Sequence, residues 1–338
     1  MILYQKYIKM HIYHAIINLT FGGIMVDYNK KYLLKKLAIY YLYSSITINS
    51  FFNHEITNTS DINIISCFDN MVNFNINGYK LPKLNTYIPQ GLTLVNDNIY
   101  ITAYDGKMKK NSVIFEIHND NTSRIITLDT NAHVGGITYD EVNHLFWICD
   151  IDGTISSYKY DDVIAKNNVY AETKNLNVNN NDLINHKGSF SVAYITFYDN
   201  HLYVGNYSTN NSGILKSYEV KNNGSIDLSS VKIYKTPNKV QGVTFYKDTN
   251  TTYILFSISY GAINYSKLKI DIFDERKIDY RNIQFLEYYM PRMMEEIIVS
   301  NDDKFMALFE SNAYKYKTGI LDMNKIYETD IKRLIKKD

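Results

Sequence analysis

Glu295 and Glu296 open the short apolar run Glu295–Val299, and two adjacent carboxylates at a strand start suit either cation binding or general acid–base work. Side chains of a regular strand alternate between its faces, so one of the two, Glu296, is expected to face inward as a base or metal ligand. The competing reading is that the pair lies in an exposed entry turn, with Arg292 nearby as a partner. Glu310, at the end of Phe305–Phe309, is placed to join the inward one. Gln90, His133 and Gln241 stand just before the apolar runs of other segments and form the rest of the candidate set. His133 is the second candidate catalytic group, and Gln90, His133, Gln241, Glu295 and Glu310 are candidate ligand contacts. Oxygen donors of this kind would suit Ca2+ or Mg2+ rather than zinc.

These residues share a register because the chain repeats. Pro89–Leu94, His133–Tyr139, Ser191–Phe197, Val240–Phe245 and Met294–Val299 are each followed by a polar turn and a second apolar run, and the starts recur about every 45–57 residues. The turns are Asn96-Asp97-Asn98, Asp140 to Asn143, Asp199-Asn200, Lys247 to Asn250 and Asn301 to Asp303, rich in residues that tolerate left-handed backbone. Third strands are expected at Ser112–Ile117, Gly153–Tyr158, Gly213–Val220, Lys267–Phe273 and Thr318–Met323, and weaker fourth strands at Arg124–Leu128 and Ser230–Tyr234. Four short strands at this period mean propeller blades. The expected fold is all-β, a single five-bladed β-propeller over 61–338. Val72–Tyr79 would supply the fourth strand of the last blade and close the ring; six blades is the alternative if 60–85 holds a degenerate one. The first strands then line the axis, with Gly91, Gly135, Gly136, Ala193 and Gly242 as small residues where blades approach, and the polar residues before them meet at one mouth of the channel.

The chain has 338 residues, with 36 basic and 35 acidic side chains. This balance lacks the basic excess of a nucleic-acid binder. A hydrophobic share of 45 % supports a large core rather than disorder. Cys67 and Cys149 neither make a disulfide scaffold nor a metal motif, and Cys149, after Trp147 on a strand, reads as buried and inert. Asp150-Ile151-Asp152-Gly153 has the look of a calcium loop but lacks its closing glutamate, and reads as a hairpin turn. Lys174–Asn185 reads as a solvated loop, and Ser208 as a turn residue. Walker, G-x-S-x-G, H-E-x-x-H and G-x-G-x-x-G signatures are absent.

Residues 1–60 lack the repeat. Met25 follows Gly22-Gly23 closely and offers a second translation start, which would make 1–24 upstream sequence. From there Lys30, Lys31, Lys35 and Lys36 precede the uncharged run Leu37–Phe52, so 25–52 reads as an export signal or marginal anchor; the competing reading is a helix packed on the domain. Export, surface display or membrane attachment is the expectation, with a cytoplasmic protein the alternative.

The phrases IPQGLTL, HVGGITYD, LYVGNY, VQGVTFY, SISYG, MEEI and LFES resemble uncharacterised bacterial β-propeller proteins of the lactonase-like and strictosidine-synthase-like superfamily. The resemblance covers about 85–320. It implies a propeller, and in lactonase-like members a divalent cation at the channel mouth held by carboxylates and amides from different blades. Here a strand-start carboxylate comes only from Glu295 or Glu296. No nucleophile–base pair can be read, and the 32 tyrosines offer amphipathic contact area. The expected function is therefore a non-enzymatic, monomeric binding module for a protein or glycan partner. The alternative is a metal-assisted, lactonase-like hydrolase at the channel mouth.

Overall fold

Two-residue turns that demand positive φ set the hairpins. Asn96 and Asp97 (φ 48° and 65°) join β1 (Tyr87–Val95) to β2 (Asn98–Asp105), and Asp199 and Asn200 (φ 50° and 57°) join β9 (Val192–Tyr198) to β10 (His201–Asn206). Asparagine and aspartate tolerate this conformation, and its twist matches that of the paired strands. The computed structural model describes residues 78–174, 190–262, 264–283, 285–317 and 322–336. The proposed start at Met25, the segment 25–52, Cys67 and nearly all of Val72–Tyr79, Lys174–Asn185 and Thr318–Met323 lie outside them.

Five antiparallel sheets follow one another along the chain. Blade 1 adds β3 (Val113–Ile117) and β4 (Ser123–Thr127) to β1 and β2. Blade 2 runs β5 (Ile137–Asp140), β6 (Leu145–Cys149), β7 (Ile155–Lys159), β8 (Glu172–Lys174), with helix α1 (Tyr160–Ala165) after β7. Blade 3 completes β9 and β10 with β11 (Gly213–Val220) and β12 (Ile226–Thr236). Blade 4 is β13 (Val240–Asp248), β14 (Thr251–Ile258), β15 (Ser266–Ile272), β16 (Leu286–Met290). Blade 5 is β17 (Met294–Val299), β18 (Lys304–Phe309) and β19 (Tyr327–Asp330), followed by helix α2 (Ile331–Ile335). The first strands form the inner ring: β1 touches β5, β5 touches β9, β9 touches β13, β13 touches β17, and β17 touches β1. The fold is a five-bladed β-propeller.

Alternation explains why the ring closes. In β2, Ile99, Ile101 and Ala103 pack with Met306 and Leu308 of β18, while Tyr100 and Tyr104 pack with Phe146 and Ile148 of β6. In β6, Leu145, Trp147 and Cys149 face blade 3. In β18, Phe305, Ala307 and Phe309 face Leu255, Leu268 and Ile270 of blade 4. Each second strand thus has two apolar faces, one per neighbouring blade, which is why these runs are nearly continuous in the sequence. Blades 3 and 4 meet over Tyr203, Tyr234, Phe245, Phe256 and Tyr280, so much of the tyrosine expected on blade surfaces is core.

One strand assignment is corrected, and the expected fourth strand at Val72–Tyr79 lies almost wholly outside the described residues. The third strand of blade 5 is β19, a few residues beyond the expected Thr318–Met323. The leading segment does reach this blade, through an Ile326 N–H to Tyr79 carbonyl bond of 2.9 Å and a Leu81 N–H to Asn324 carbonyl bond of 3.1 Å, but among the described residues it makes an isolated bridge, not a fourth strand. Asp150–Gly153 is a tight turn as expected, with Asp150 Oδ1 accepting the Ile151 N–H. Among the described residues no helix is long and apolar enough to cross a membrane.

The axis is filled by backbone. A Cβ at Gly135 would lie 2.2 Å from the Ala193 carbonyl oxygen, and one at Gly242 would lie 2.2 Å from Glu296 Oε1. Gly242→Ala is therefore expected to cost about 1–3 kcal/mol by overpacking. The cost should shrink when Glu296→Ala removes the obstructing carboxylate, and urea unfolding of the two single variants and the double variant measures this coupling.

Candidate functional site

The inner strands carry a repeated irregularity at one end. Pairing skips between Pro89 and Leu92 in β1, between Val240 and Gly242 in β13, and between Met294 and Ile297 in β17; in blade 3 it skips at Gly205/Asn206, leaving Ala193 of β9 unopposed. In β1 and β17 two residues thus oppose one, an arrangement that bends the strand and re-aims its side chains. The doubled residues are Gln90-Gly91 and Glu295-Glu296. The backbone is strained beside them: Val134, Lys239 and Met293, each shortly before an inner strand, have φ of 47°, 63° and 62°. Left-handed backbone is costly for a β-branched residue such as Val134 and collects at functional sites.

The bulge overturns both the expectation that at most one of the two glutamates is turned inward and the alternative of an exposed entry turn. Glu295 and Glu296 are both buried, at 5 % and 2 % exposure, and Arg292 partners neither. Arg292 is fully buried and pairs with Asp322 at 2.7 Å, its guanidinium also donating to the Ala262 and Tyr316 carbonyls. Glu296 Oε1 accepts the Ile297 N–H at 3.1 Å, while Oε2 is buried without a hydrogen-bond partner among the described residues. Burial holds the Glu296 carboxyl well above its ordinary pKa, against the backbone N–H groups of Ile297 and Val243.

Glu310 follows β18 and returns to the same end. It shares a hydrogen bond with Glu295, and Gln90 Nε2 donates to Glu310 Oε2 at 3.2 Å. Gln90 is itself 2 % exposed and also donates to the Pro89 carbonyl at 2.8 Å. Burial is the main cause raising both carboxyls. For Glu295, the Glu310 and Glu296 charges push the same way, and it stays well above the usual range. For Glu310, hydrogen bonds from Glu295 and Gln90, then the Lys315 and Arg292 charges, pull back, leaving a pKa of about 7. The two carboxyls titrate as a pair that holds on to one proton, and Glu310, the more exposed of the two, is the member that ionises more readily.

Tyr104, Tyr207 and Lys315 surround the pair. Burial, and then charge from Tyr316, Glu310 and Glu295, raises the Tyr104 phenol. The Tyr207 phenol is raised by burial and next by Glu295. His133 stacks on Tyr104, with centroids 4.2 Å apart. Desolvation, then the Lys315 charge, pushes its imidazole down. Part of the residue stays exposed, so water offsets some of that desolvation. Neutral at working pH and without a hydrogen bond to either carboxylate among the described residues, His133 lines the mouth. Gln241 holds the bulge place in β13 but stays partly exposed and joins no hydrogen bond among the described residues.

Of the candidate set, the fold therefore unites Glu295, Glu310 and Gln90, with Glu296 adjacent on β17. Tyr104 and Tyr207 were missed. Their signal was positional: like Glu310, each stands at or just past the end of a second strand, where the chain returns to the mouth. Among the described residues no three or more His, Cys, Asp or Glu side chains form a metal nest. A proton shared between Glu295 and Glu310 also occupies the place where a cation would need both ionised, so that pair does not fit the expected Ca2+ or Mg2+. Cys149 is buried, and desolvation followed by the Glu296 charge pushes its thiol up.

No known family and no curated protein matches the chain. Solved structures do. The catalytic domain of the Coprinopsis cinerea GH62 α-L-arabinofuranosidase is 10 % identical over 69 % of this chain and 88 % of that one, with a TM-score of 0.44. The Bacteroides ovatus xyloglucan PUL GH43B is 10 % identical over 68 % of this chain, which spans about half (49 %) of that protein, with a TM-score of 0.42. U3-55K is 10 % identical over 68 % and 78 %, with a TM-score of 0.40. Likeness at this level speaks to fold and not to substrate. The expectation of a non-enzymatic binding module is set aside here: several of the solved propellers similar to the chain are described as glycoside hydrolases, and the activity of this chain is taken up below as a proposal.

A carboxyl raised from 4.5 to about 7 binds more protons folded than unfolded between those values. Its contribution to stability is present below pH 4.5 and is lost as pH rises through about 7. Urea midpoints of the wild type are expected to fall between pH 5 and 8, and Glu310→Gln to flatten that fall; an equal slope in both would reject the assignment.

Proposed function

We propose that the chain is a hydrolase that activates water with the Glu295–Glu310 pair at the propeller mouth. The observation that supports it is the meeting of the buried Glu295 and Glu310 at the mouth, with buried Gln90 donating to Glu310 Oε2 at 3.2 Å; burial raises both carboxyls. Ionised Glu310 takes a proton from water as it attacks the acyl carbon, and Glu295 gives its proton to the oxygen that gains charge; as the adduct collapses Glu295 recovers that proton, Glu310 passes its own to the departing alcohol oxygen, and the acyl carbon–oxygen bond breaks to give acid and alcohol. Two carboxyls sharing one proton divide base and acid roles in this way. Gln90 fixes the Glu310 carboxylate by donating to Oε2, and Tyr104 walls the pair.

Direct hydrogen bonding brings the two carboxyls closer than the roughly 5 Å or more that glycosidase stereochemistry uses. An acyl bond, ester or lactone, suits such a pair better, since water adds to a carbonyl carbon and the acid protonates its oxygen. This keeps the chemical class of the lactonase-like resemblance while moving the work from a cation to a proton. A second reading rests on the unpartnered Glu296 Oε2, which faces no donor among the described residues and suits a cation.

Purified protein offered p-nitrophenyl esters, γ-lactones and p-nitrophenyl glycosides is expected to hydrolyse members of the first two groups. Glu310→Gln should lower kcat/KM by about a hundred- to ten-thousand-fold, the usual worth of general acid–base catalysis, and Glu295→Gln similarly. Activity should survive EDTA; its loss, restored by Ca2+, would favour the cation reading. Turnover of glycosides alone would reject the acyl assignment, and no turnover of any group would reject the hydrolase.

A further inference from the structure

A cavity of about 600 Å3 lies at the mouth end between blades 3 and 4, beside the acid pair rather than over it. Its walls are the turns that lead into β13 and out of β14. Hydrogen bonds lock these turns to the blade 3 loop: the Lys239 N–H to the Ser208 carbonyl at 2.7 Å, and the Ser259 N–H to the Lys239 carbonyl at 3.0 Å. Asn238 Nδ2 adds a bond to the Thr209 carbonyl at 3.3 Å. Lys239 is thereby held in its left-handed conformation, with its ammonium 4.4 Å from the centre of the Tyr260 ring.

The lining has one sign of charge. Lys239, Lys267, Lys269 and Arg281 contribute to it, and no aspartate or glutamate does. Lys267 and Lys269 share the single carboxylate of Glu287, and Arg281 pairs with Asp279. Lys239 has no ion pair among the described residues. The other lining is amide and phenol, including Asn210, Asn238, Asn264 and Tyr260. Asparagine amides both donate to and accept from hydroxyls, and tyrosine rings lie against apolar faces while keeping a polar edge. Alternating hydroxyls, flat C–H faces and an acid group are the surface of a uronic sugar.

Tyr207 connects this cavity to the acid pair. Its hydroxyl donates to the Ser259 carbonyl at 3.4 Å, on the cavity wall, and its phenol feels both Glu295 and Glu310. We propose that the cavity holds the carboxylate-bearing sugar of an acidic carbohydrate substrate, placing that substrate's acyl bond past Tyr207 at the Glu295–Glu310 pair. The placement rests on the hydrolase reading; the binding does not.

Calorimetric titration of the full chain tests it with trigalacturonic acid, the methyl ester of the same trisaccharide, and inorganic phosphate. The acid is expected to bind about tenfold or more tightly than its uncharged ester, the worth of one charge-assisted contact. Lys239→Asn removes the cation while suiting left-handed backbone, so the fold is preserved, and it should weaken the acid by a similar factor with no change for the ester. Glu310→Gln should leave this binding intact. Equal binding of acid and ester, or no effect of Lys239→Asn, overturns the proposal, and phosphate binding as tightly as the trisaccharide overturns its sugar part. Binding as expected in a protein that hydrolyses nothing would reject the hydrolase and keep the cavity.

Discussion

Close approach of backbone around the propeller axis is the constraint from which the site follows. Inner strands come so near each other that Gly135 and Gly242 have no space for a methyl group. At this distance the first strands, not solvent, surround whatever side chains the bulges aim inward. Carboxylates placed there lose water, and a carboxylate without water either finds donors or takes up a proton. Glu296 finds backbone N–H groups for one oxygen; Glu295 and Glu310 solve the problem by sharing. The raised pKa values are thus a product of packing, and changes in the glycines should be felt in the chemistry of the glutamates.

Much of the architecture was legible because it depends on local rules. The Asn and Asp turns require positive φ and mark the hairpins, and two-faced apolar runs such as Leu145–Cys149 mark the second strands. The mouth positions Gln90, Glu295 and Glu310 followed from the repeat. What stayed hidden depends on long-range geometry. A bulge is one extra residue in a pairing register, and nothing in Met294–Val299 by itself announces that Glu295 and Glu296 together oppose a single residue of β18. The partner of Arg292 was misjudged for a similar reason: Asp322 lies thirty positions downstream, in a segment whose strand, β19, begins later than the pattern indicated. His133 and Gln241 show that equivalence by repeat does not guarantee equivalence of contact, since only Gln90 among the three reaches a glutamate.

The acid pair also sits across the joint of the ring. Glu295 and Glu310 belong to blade 5 and Gln90 to blade 1, and the two blades meet over Leu92, Ile101, Met306 and Leu308. The geometry of the acid pair and ring closure are therefore one structural event: opening this interface would withdraw the amide that holds Glu310 and admit water to groups whose behaviour depends on its exclusion.

That joint has a consequence for biosynthesis. Chains emerge from the ribosome amino end first, and Gln90 is made long before the segment around Tyr327. The strip Tyr79–Leu81 has to wait for Asn324–Ile326 before its backbone groups are paired, and Tyr288 waits for Leu334 to accept its hydroxyl proton. Until those last partners arrive, the nascent protein has four blades' worth of hairpins and an unlatched fifth. A product truncated before Asn324 would carry every residue of the acid pair yet lack these backbone bonds between the leading strip and blade 5.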